Sequence, residues 1–382
     1  MGIPVKTLAY SGASEKQHID AMENLNQMFG PHLHAADEEI QILYFLSGGS
    51  EAEAIKKLDS KTFQLLIAAG QSNAFASATE VKAYSNAHGY NTELLFLDEP
   101  VDRQRFEKYL SVLGALERIK GKRLGLIGEI SDWLVASDID GGLLKNKLGI
   151  ELQTIPWKDV GDFTEYMADP SFLECYHAPR QYKLEDAGKV NSMLKAVIDK
   201  YKLDAITVEC FSLVQQKEVT ACLSLSFLND IGIPAGCEGD LCSITGMMIV
   251  NELCGELPWM ANIAGIRAND VLLAHCTAPT NVLSEHHINT HFETGKGTAI
   301  HGRHKSRDVT IFRINDKLDK LFFAHGNVVD GRYDKHACRT QMHVEFSEEI
   351  IEELKTNPLG NHHLVIPGDQ TYELGLLSNI LQ

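Results

Sequence analysis

The sequence predicts an α/β fold with two Rossmann-like parallel-sheet domains followed by a mostly β C-terminal domain. Three observations carry this expectation. Apolar strand-like runs alternate with helical stretches through the first two thirds of the chain, the signature of a parallel sheet covered on both faces. The alternation restarts after a long charged helix. From about Asp270 the helical patterns give way to short strand-like runs separated by turns. A chain of 382 residues also exceeds what one ordinary core serves. The expected domains are residues 1–115, 116–268 and 269–382.

In chain order, Glu39–Leu46, Phe63–Ala69 and Thr92–Leu97 are the strand candidates of the first domain. Ser47-Gly-Gly-Ser50 and Gly70-Gln-Ser-Asn73 follow the first two as turns, and each leads into a helical stretch. Asp102–Lys120 reads as a charged connecting helix. The second domain opens with a strand at Lys122–Gly128, whose turn carries Glu129, Ser131 and Trp133. Ile150–Ile155, Asp204–Cys210 and Ile233–Cys237 are its further strands. Leu184–Lys200, Glu218–Asn229 and Asp240–Cys254 are its helices. No GxGxxG is present, so a dinucleotide site has no support. In the third domain Val271–Ala274, Val309–Ile314, Lys320–Ala324 and Met342–Glu345 are strand candidates. That segment holds eleven of the 16 histidines, which concentrates imidazole chemistry there.

The formal net charge of −17 argues against a nucleic-acid partner or an anionic membrane surface. The eight cysteines include no CxxC pair, and most lie in apolar runs, where Cys acts as a small hydrophobe. This usage fits a reducing compartment. No signal-peptide pattern and no stretch of about 20 apolar residues is visible, so the expected location is the cytoplasm, with no membrane partner.

The chemistry centres on Cys237-Glu-Gly-Asp240. Two carboxylates, Glu238 and Asp240, stand two positions apart after an apolar strand. If the extended conformation persists, they share one face. Paired acids there call for a positive partner, commonly a metal ion. The plain alternative is a solvated loop with incidental acids. Glu209 ends another strand, at the sheet edge where open α/β folds bind ligands. His275 follows an apolar run and reads equally as a buried, hydrogen-bonded histidine or a site residue. His286, His287, His301 and His304 lie among polar residues and read as solvated loop positions. Carboxylates with imidazoles suit Mn, Mg or Co better than structural zinc.

The chain resembles the L-fucose/L-arabinose isomerase superfamily. The resemblance rests on Ala221–Asp240 with its CEGD block, on Leu273-Ala-His-Cys-Thr-Ala-Pro279, on Gly360-Asn-His-His-Leu-Val-Ile-Pro-Gly-Asp369, and on Arg123–Trp133. It implies an aldose–ketose isomerase with a Mn-type divalent ion, acting on a small sugar through a cis-enediol(ate) and assembling into homotrimers or hexamers. Carried over, Glu238 and Asp240 are metal ligands and catalytic acids. His362 is the C-terminal metal-binding histidine and His291 a further ligand. His275, Arg339 and Glu209 are expected to contact the substrate. The family's second acid has no secure counterpart, with Glu209 and Glu218 both open. Two other readings use the same features: a non-catalytic sugar-binding protein, and a metal-dependent aldolase or hydrolase on this scaffold.

Overall fold

A computed structural model of the chain describes residues 2–382. Two compact units divide it. The first comprises the chain up to Glu117 together with Gly375–Gln382, and the second is Arg118–Leu374.

The first unit is a five-stranded sheet with flanking helices. Its elements are β1 (Ile3–Leu8), α1 (Glu15–Phe29), β2 (Leu33–Ala35), β3 (Ile42–Phe45), α2 (Glu51–Ile55), β4 (Gln64–Ala68), α3 (Ala74–His88), β5 (Thr92–Phe96) and α4 (Pro100–Ile119). The strands run parallel in the order β2-β1-β3-β4-β5. β3 and β4 are buried along their whole length, which explains the apolar runs Ile42–Phe45 and 65–68, and Gln64 at the head of β4 spends its amide on the Ile40 and Lys57 carbonyls. β1 was not legible from its pattern, because Pro4 and Lys6 interrupt the apolar run. Its inward positions Ile3, Val5 and Leu8 are nonetheless buried. α1 starts with a reciprocal cap in which the Ser14 and Gln17 side chains satisfy each other's backbone N–H groups.

The second unit begins with a four-stranded parallel sheet. β6 (Arg123–Ile127) leads through α5 (Gly141–Leu148) to β7 (Glu151–Ile155). α6 (Pro170–Cys175) and α7 (Leu184–Tyr201) precede β8 (Ala205–Val208). α8 (Cys210–Lys217) and α9 (Cys222–Asp230) precede β9 (Ala235–Cys237), and α10 (Leu241–Cys254) follows it. The strand order is β7-β6-β8-β9. The helix expected over Glu218–Asn229 is α9, which starts only at Cys222, and α8, which the sequence did not suggest, precedes it. Glu218 is the left-handed cap that ends α8, with φ +57°.

The remainder is a closed six-stranded barrel with an attached hairpin. Its elements are β10 (Trp259–Arg267), β11 (Asp270–His275), β12 (Leu283–Asn289), β13 (Ala299–His304), β14 (Asp308–Ile314), β15 (Leu321–Val329), β16 (Thr340–Glu345), α11 (Glu348–Thr356) and β17 (His362–Pro367); the last helix, α12 (Thr371–Leu381), belongs from Gly375 onward to the first unit. The antiparallel ring runs β10-β11-β16-β15-β14-β17, and β12 pairs with β13 outside it. The mixed α/β architecture with a β C-terminal part is thus the predicted one. Trp259, Val271, Leu273, Ile311 and Val344 belong to its main core. Among the described residues no helix is long and apolar enough to cross a membrane.

α10 joins sheet to barrel. Leu241 through Val250 are all buried, so the helix is apolar on every side. It touches β8 and β9 on one side and β14 and β17 on another. Gly246 permits the close approach: a Cβ there would stand 2.7 Å from Leu364 and 3.1 Å from Phe312. Gly246→Val should therefore destabilise the protein by about 1–3 kcal/mol through overpacking. Urea unfolding checks this; an unchanged midpoint would contradict the packing described.

Candidate metal centre

The site forms where the end of β9 meets one end of the barrel. β9 stops at Cys237, so the two acids do not share a strand face. Glu238 and Gly239 take left-handed conformations, with φ +62° and +73°. This tight turn suits Gly239 in particular, since a Cβ there would run into the Glu129 and Ile130 backbone. Asp240 then caps α10 by accepting the Ser243 N–H at 2.7 Å. The turn sends the two carboxylates to different atoms of one imidazole.

That imidazole is His362, the first residue of β17. Its Nδ1 is 2.9 Å from Asp240 Oδ2, and its Nε2 is 3.9 Å from Glu238 Oε1. Asp240 is fully buried, and an ionised carboxylate only accepts. His362 Nδ1 therefore carries a proton, and in the neutral ring the lone pair is on Nε2. That Nε2 is buried and has no hydrogen-bond partner among the described residues.

His275 stands beside it at the end of β11. Ala274 and His362 both pair with Asn262 of β10, so strand register brings the two histidines to the same barrel end. Their rings meet edge to face at 5.4 Å. His275 is buried with Nδ1 on the Thr277 hydroxyl at 2.8 Å. Burial, reinforced by His362 and His291, pushes its pKa well below the usual histidine value, so the ring stays neutral. Glu238, His275 and His362 each offer an atom within 4.8 Å of the others. One carboxylate and two imidazoles, one of them with a buried nitrogen that has no partner among the described residues, fit a divalent cation.

Arg313 holds the site from behind. It lies inside β14, is 2% exposed, and uses all five N–H donors. They go to Leu359 O, His362 O, Asp240 Oδ2, Ala136 O and Ser137 Oγ, at 2.7–3.4 Å. Burial alone would raise the Asp240 carboxyl. The His362 hydrogen bond and the Arg313 charge outweigh it and hold the group well below the ordinary carboxylate range.

The other predicted residues fall around this centre. His291 is buried and pairs through Nε2 with Glu293 at 3.1 Å, so it is not one of the three converging groups. Burial lowers its pKa in spite of Glu293 and Glu238. Glu209 caps α8, and its second oxygen accepts the Trp157 indole N–H at 2.7 Å. Glu218 is exposed and pairs with Lys296 at 2.9 Å. Arg339 donates to Thr290 O at 2.8 Å, and its guanidinium lies over Phe292. The Cys237 thiol is pushed up by the adjacent Cys210 sulfur and by burial.

Sequence reasoning missed two participants. Trp133 donates its indole N–H to Glu238 Oε2 at 2.6 Å. Arg313 went unnoticed, although a lone Arg within Val309-Thr-Ile-Phe-Arg-Ile314 is the signal: a charge in a buried strand needs an anion. A cavity of about 580 Å³ lies at the carboxyl ends of β6, β7 and β8, where strand order reverses. Trp133, Trp157, Glu209 and Phe211 line it.

The fold and this donor set define a candidate mononuclear divalent-metal centre beside a polar cleft. No family model matches the chain. It is similar to the sulfoquinovose isomerase of Alkalicoccus urumqiensis, with 21% identity over 316 residues, 76% of this chain and 70% of that protein. The sulfoquinovose isomerases of Priestia aryabhattai and Priestia megaterium are each 23% identical over 325 residues, 74% of this chain and 69% of theirs.

Removing the buried guanidinium strands a buried carboxylate. Arg313→Met should cost about 3–5 kcal/mol of stability. Denaturant unfolding of that variant against the parent checks it, and a loss under about 1 kcal/mol would contradict the described role.

Proposed function

We propose that the protein is an aldose–ketose sugar isomerase that works with a divalent cation held by Glu238, His275 and His362. The observation that carries the reading is the His362 ring fixed between two carboxylates, with its free Nε2 facing Glu238 and His275 at hand. The sulfoquinovose isomerases to which the chain is similar support the reaction class. The motifs resembling the fucose/arabinose superfamily are the ones that build this centre.

Moving a carbonyl between C1 and C2 takes a proton from one carbon and returns it to the next. A bound divalent ion would polarise the carbonyl and stabilise the negative charge that develops on the paired oxygens. Glu238 offers Oε1 toward the imidazoles while the Trp133 indole fixes Oε2. Asp240, with every contact turned inward, is a positioning residue that sets the His362 tautomer. This departs from its expected place as a ligand. The His291–Glu293 pair lies where the Glu238 charge is felt by His291, and it is the group we assign to carry the proton. Trp133 and Phe211 meet edge to face at 4.8 Å and form an aromatic wall for the sugar in the neighbouring cavity. Manganese is our first choice of ion, with Mg or Co as alternatives, and a homo-oligomer our expected assembly.

Sulfoquinovose heads the aldoses to assay, followed by fucose, arabinose and other aldoses. Chelation should abolish turnover and added Mn restore it. NMR in deuterated water should show ketose formation with deuterium entering at C1 of the ketose and, on reversal, at C2 of the recovered aldose. Full activity after exhaustive chelation would refute the metal reading. Conversion of none of these sugars, with Mn present, would refute the isomerase reading. Glu238→Gln should lower kcat at least about a hundredfold with the fold retained. Asp240→Asn should weaken metal binding about 10–100-fold, as expected of a group that orients a ligand; calorimetric Mn titration reads this directly.

A further inference from the structure

A second cavity, of about 680 Å³, lies between the β12–β13 hairpin and the barrel strands β15 and β16. Its chemistry is opposite to that of the molecule. In a chain of net charge −17 its lining includes Arg303, Lys305, Arg307 and Arg339, against one acid, Asp330. Asp330 is fully exposed and reaches only Arg303, at 3.7 Å. Arg307 has no ion-pair partner among the described residues. Clustered like charges repel, so such a group is stable only where solvent ions or a ligand offset it.

Two histidines on the hairpin add an independent observation. His304 is 7% exposed and lines the cavity. The Ser306 N–H donates to its Nδ1 at 3.2 Å, so the neutral ring carries its proton on Nε2. Burial lowers its pKa to about 4, which keeps that neutral form near pH 7. Nε2 is then a buried donor with no acceptor among the described residues. His301, stacked on Tyr333 at 5.0 Å, likewise has a buried Nδ1 without a partner. Unsatisfied buried polar atoms on a native structure call for an explanation, and an absent ligand or water is one.

Arg339 is prepared for a ligand from the opposite wall. Thr290 holds two of its nitrogens, through its carbonyl and its hydroxyl, and Phe292 supports the plane. The third nitrogen, Nη1, has no protein acceptor among the described residues. A single carboxylate would be satisfied by one such guanidinium. Four cationic side chains on two walls match a group with more oxygens and more charge. The volume also falls within the range of small-molecule sites, about 300–1,000 Å³, and so admits more than a bare ion.

We propose that this cavity is a binding site for a tetrahedral oxyanion, phosphate or sulfonate in type, distinct from the carboxylate–imidazole centre. The oxyanion is either a free inorganic ion or the charged end of a phosphorylated or sulfonated small molecule.

The test uses the full chain stripped of metal with EDTA, so that no ion at Glu238, His275 and His362 contributes. The proposal then stands or falls without the isomerase reading. Inorganic phosphate, inorganic sulfate, glucose 6-phosphate and sulfoquinovose are titrated by calorimetry, at constant ionic strength set with chloride. At least one should bind saturably, and the R303Q/R307Q double variant should weaken that binding tenfold or more. The melting temperature without ligand should stay that of the parent. K305Q should show a smaller loss in the same direction. Tighter binding of glucose 6-phosphate or sulfoquinovose than of the inorganic ions identifies a small-molecule ligand; equal binding identifies the free ion. Absence of saturable binding by all four probes, or unchanged affinity in the double variant, would overturn the proposal.

Discussion

The second unit depends on one buried ionic knot, Arg313 with Asp240 and His362. A guanidinium and a carboxylate removed from water each lose several kcal/mol of hydration. Their mutual attraction repays this only with good geometry and every remaining donor used. Arg313 meets that condition, with five donors and five acceptors. The acceptors come from separate places: the 136–137 segment, the start of α10, the chain just before β17, and β17 itself. A shift in any of them leaves a buried charge unpaired. The knot therefore fixes the barrel end against the parallel sheet more strictly than apolar packing alone, which tolerates small slides.

The same knot decides what the site can do. Asp240 is fully buried and committed to Arg313, Ser137, the Ser243 N–H and His362. Its effect travels through His362 by fixing which ring nitrogen is bare. Glu238 has one oxygen on an indole and the other toward the imidazoles, and is free to bind. Two acids two residues apart thus acquire different chemistry because a left-handed turn, not a strand, separates them. Environment divides their labour, as it does wherever paired carboxylates differ in burial and partners.

Much of this was legible in the sequence, for reasons that particular residues show. The apolar runs of β3, β4 and β8 declare buried parallel strands. Cys237-Glu-Gly-Asp240 and Asn361-His-His363 mark the site because charge and imidazole at strand ends have few structural reasons to be there. What stayed hidden depends on long-range pairing. Pro4 and Lys6 mask β1. Polar composition disguised β12 and β13, whose histidines read as loop residues but pair in an antiparallel ladder. His275 was open between core and site; only its register against β10, shared with His362, puts it among the converging donors. The expectation that the two acids share one face came from extending strand alternation past Cys237, although Gly239 already marked a turn.

The placement of the groups also separates what must be rigid from what can vary. His275 and His362 sit on neighbouring positions of strands flanking β10, and Asp240 is locked at the head of a fully buried helix. Such positions cannot drift by the fraction of an ångström that ligand geometry forbids. Trp133, Trp157 and Phe211 lie instead on the loops and first turn beyond β6, β7 and β8, where substitutions alter the cavity without disturbing the core. Of these three aromatics, Trp133 is the one hydrogen-bonded directly to the donor set, through Glu238. Through it, the shape of the cleft and the aim of the carboxylate are coupled. A loop substitution would then be felt at the Glu238 carboxylate when it touches Trp133, and not when it touches Trp157, whose indole is spent on Glu209.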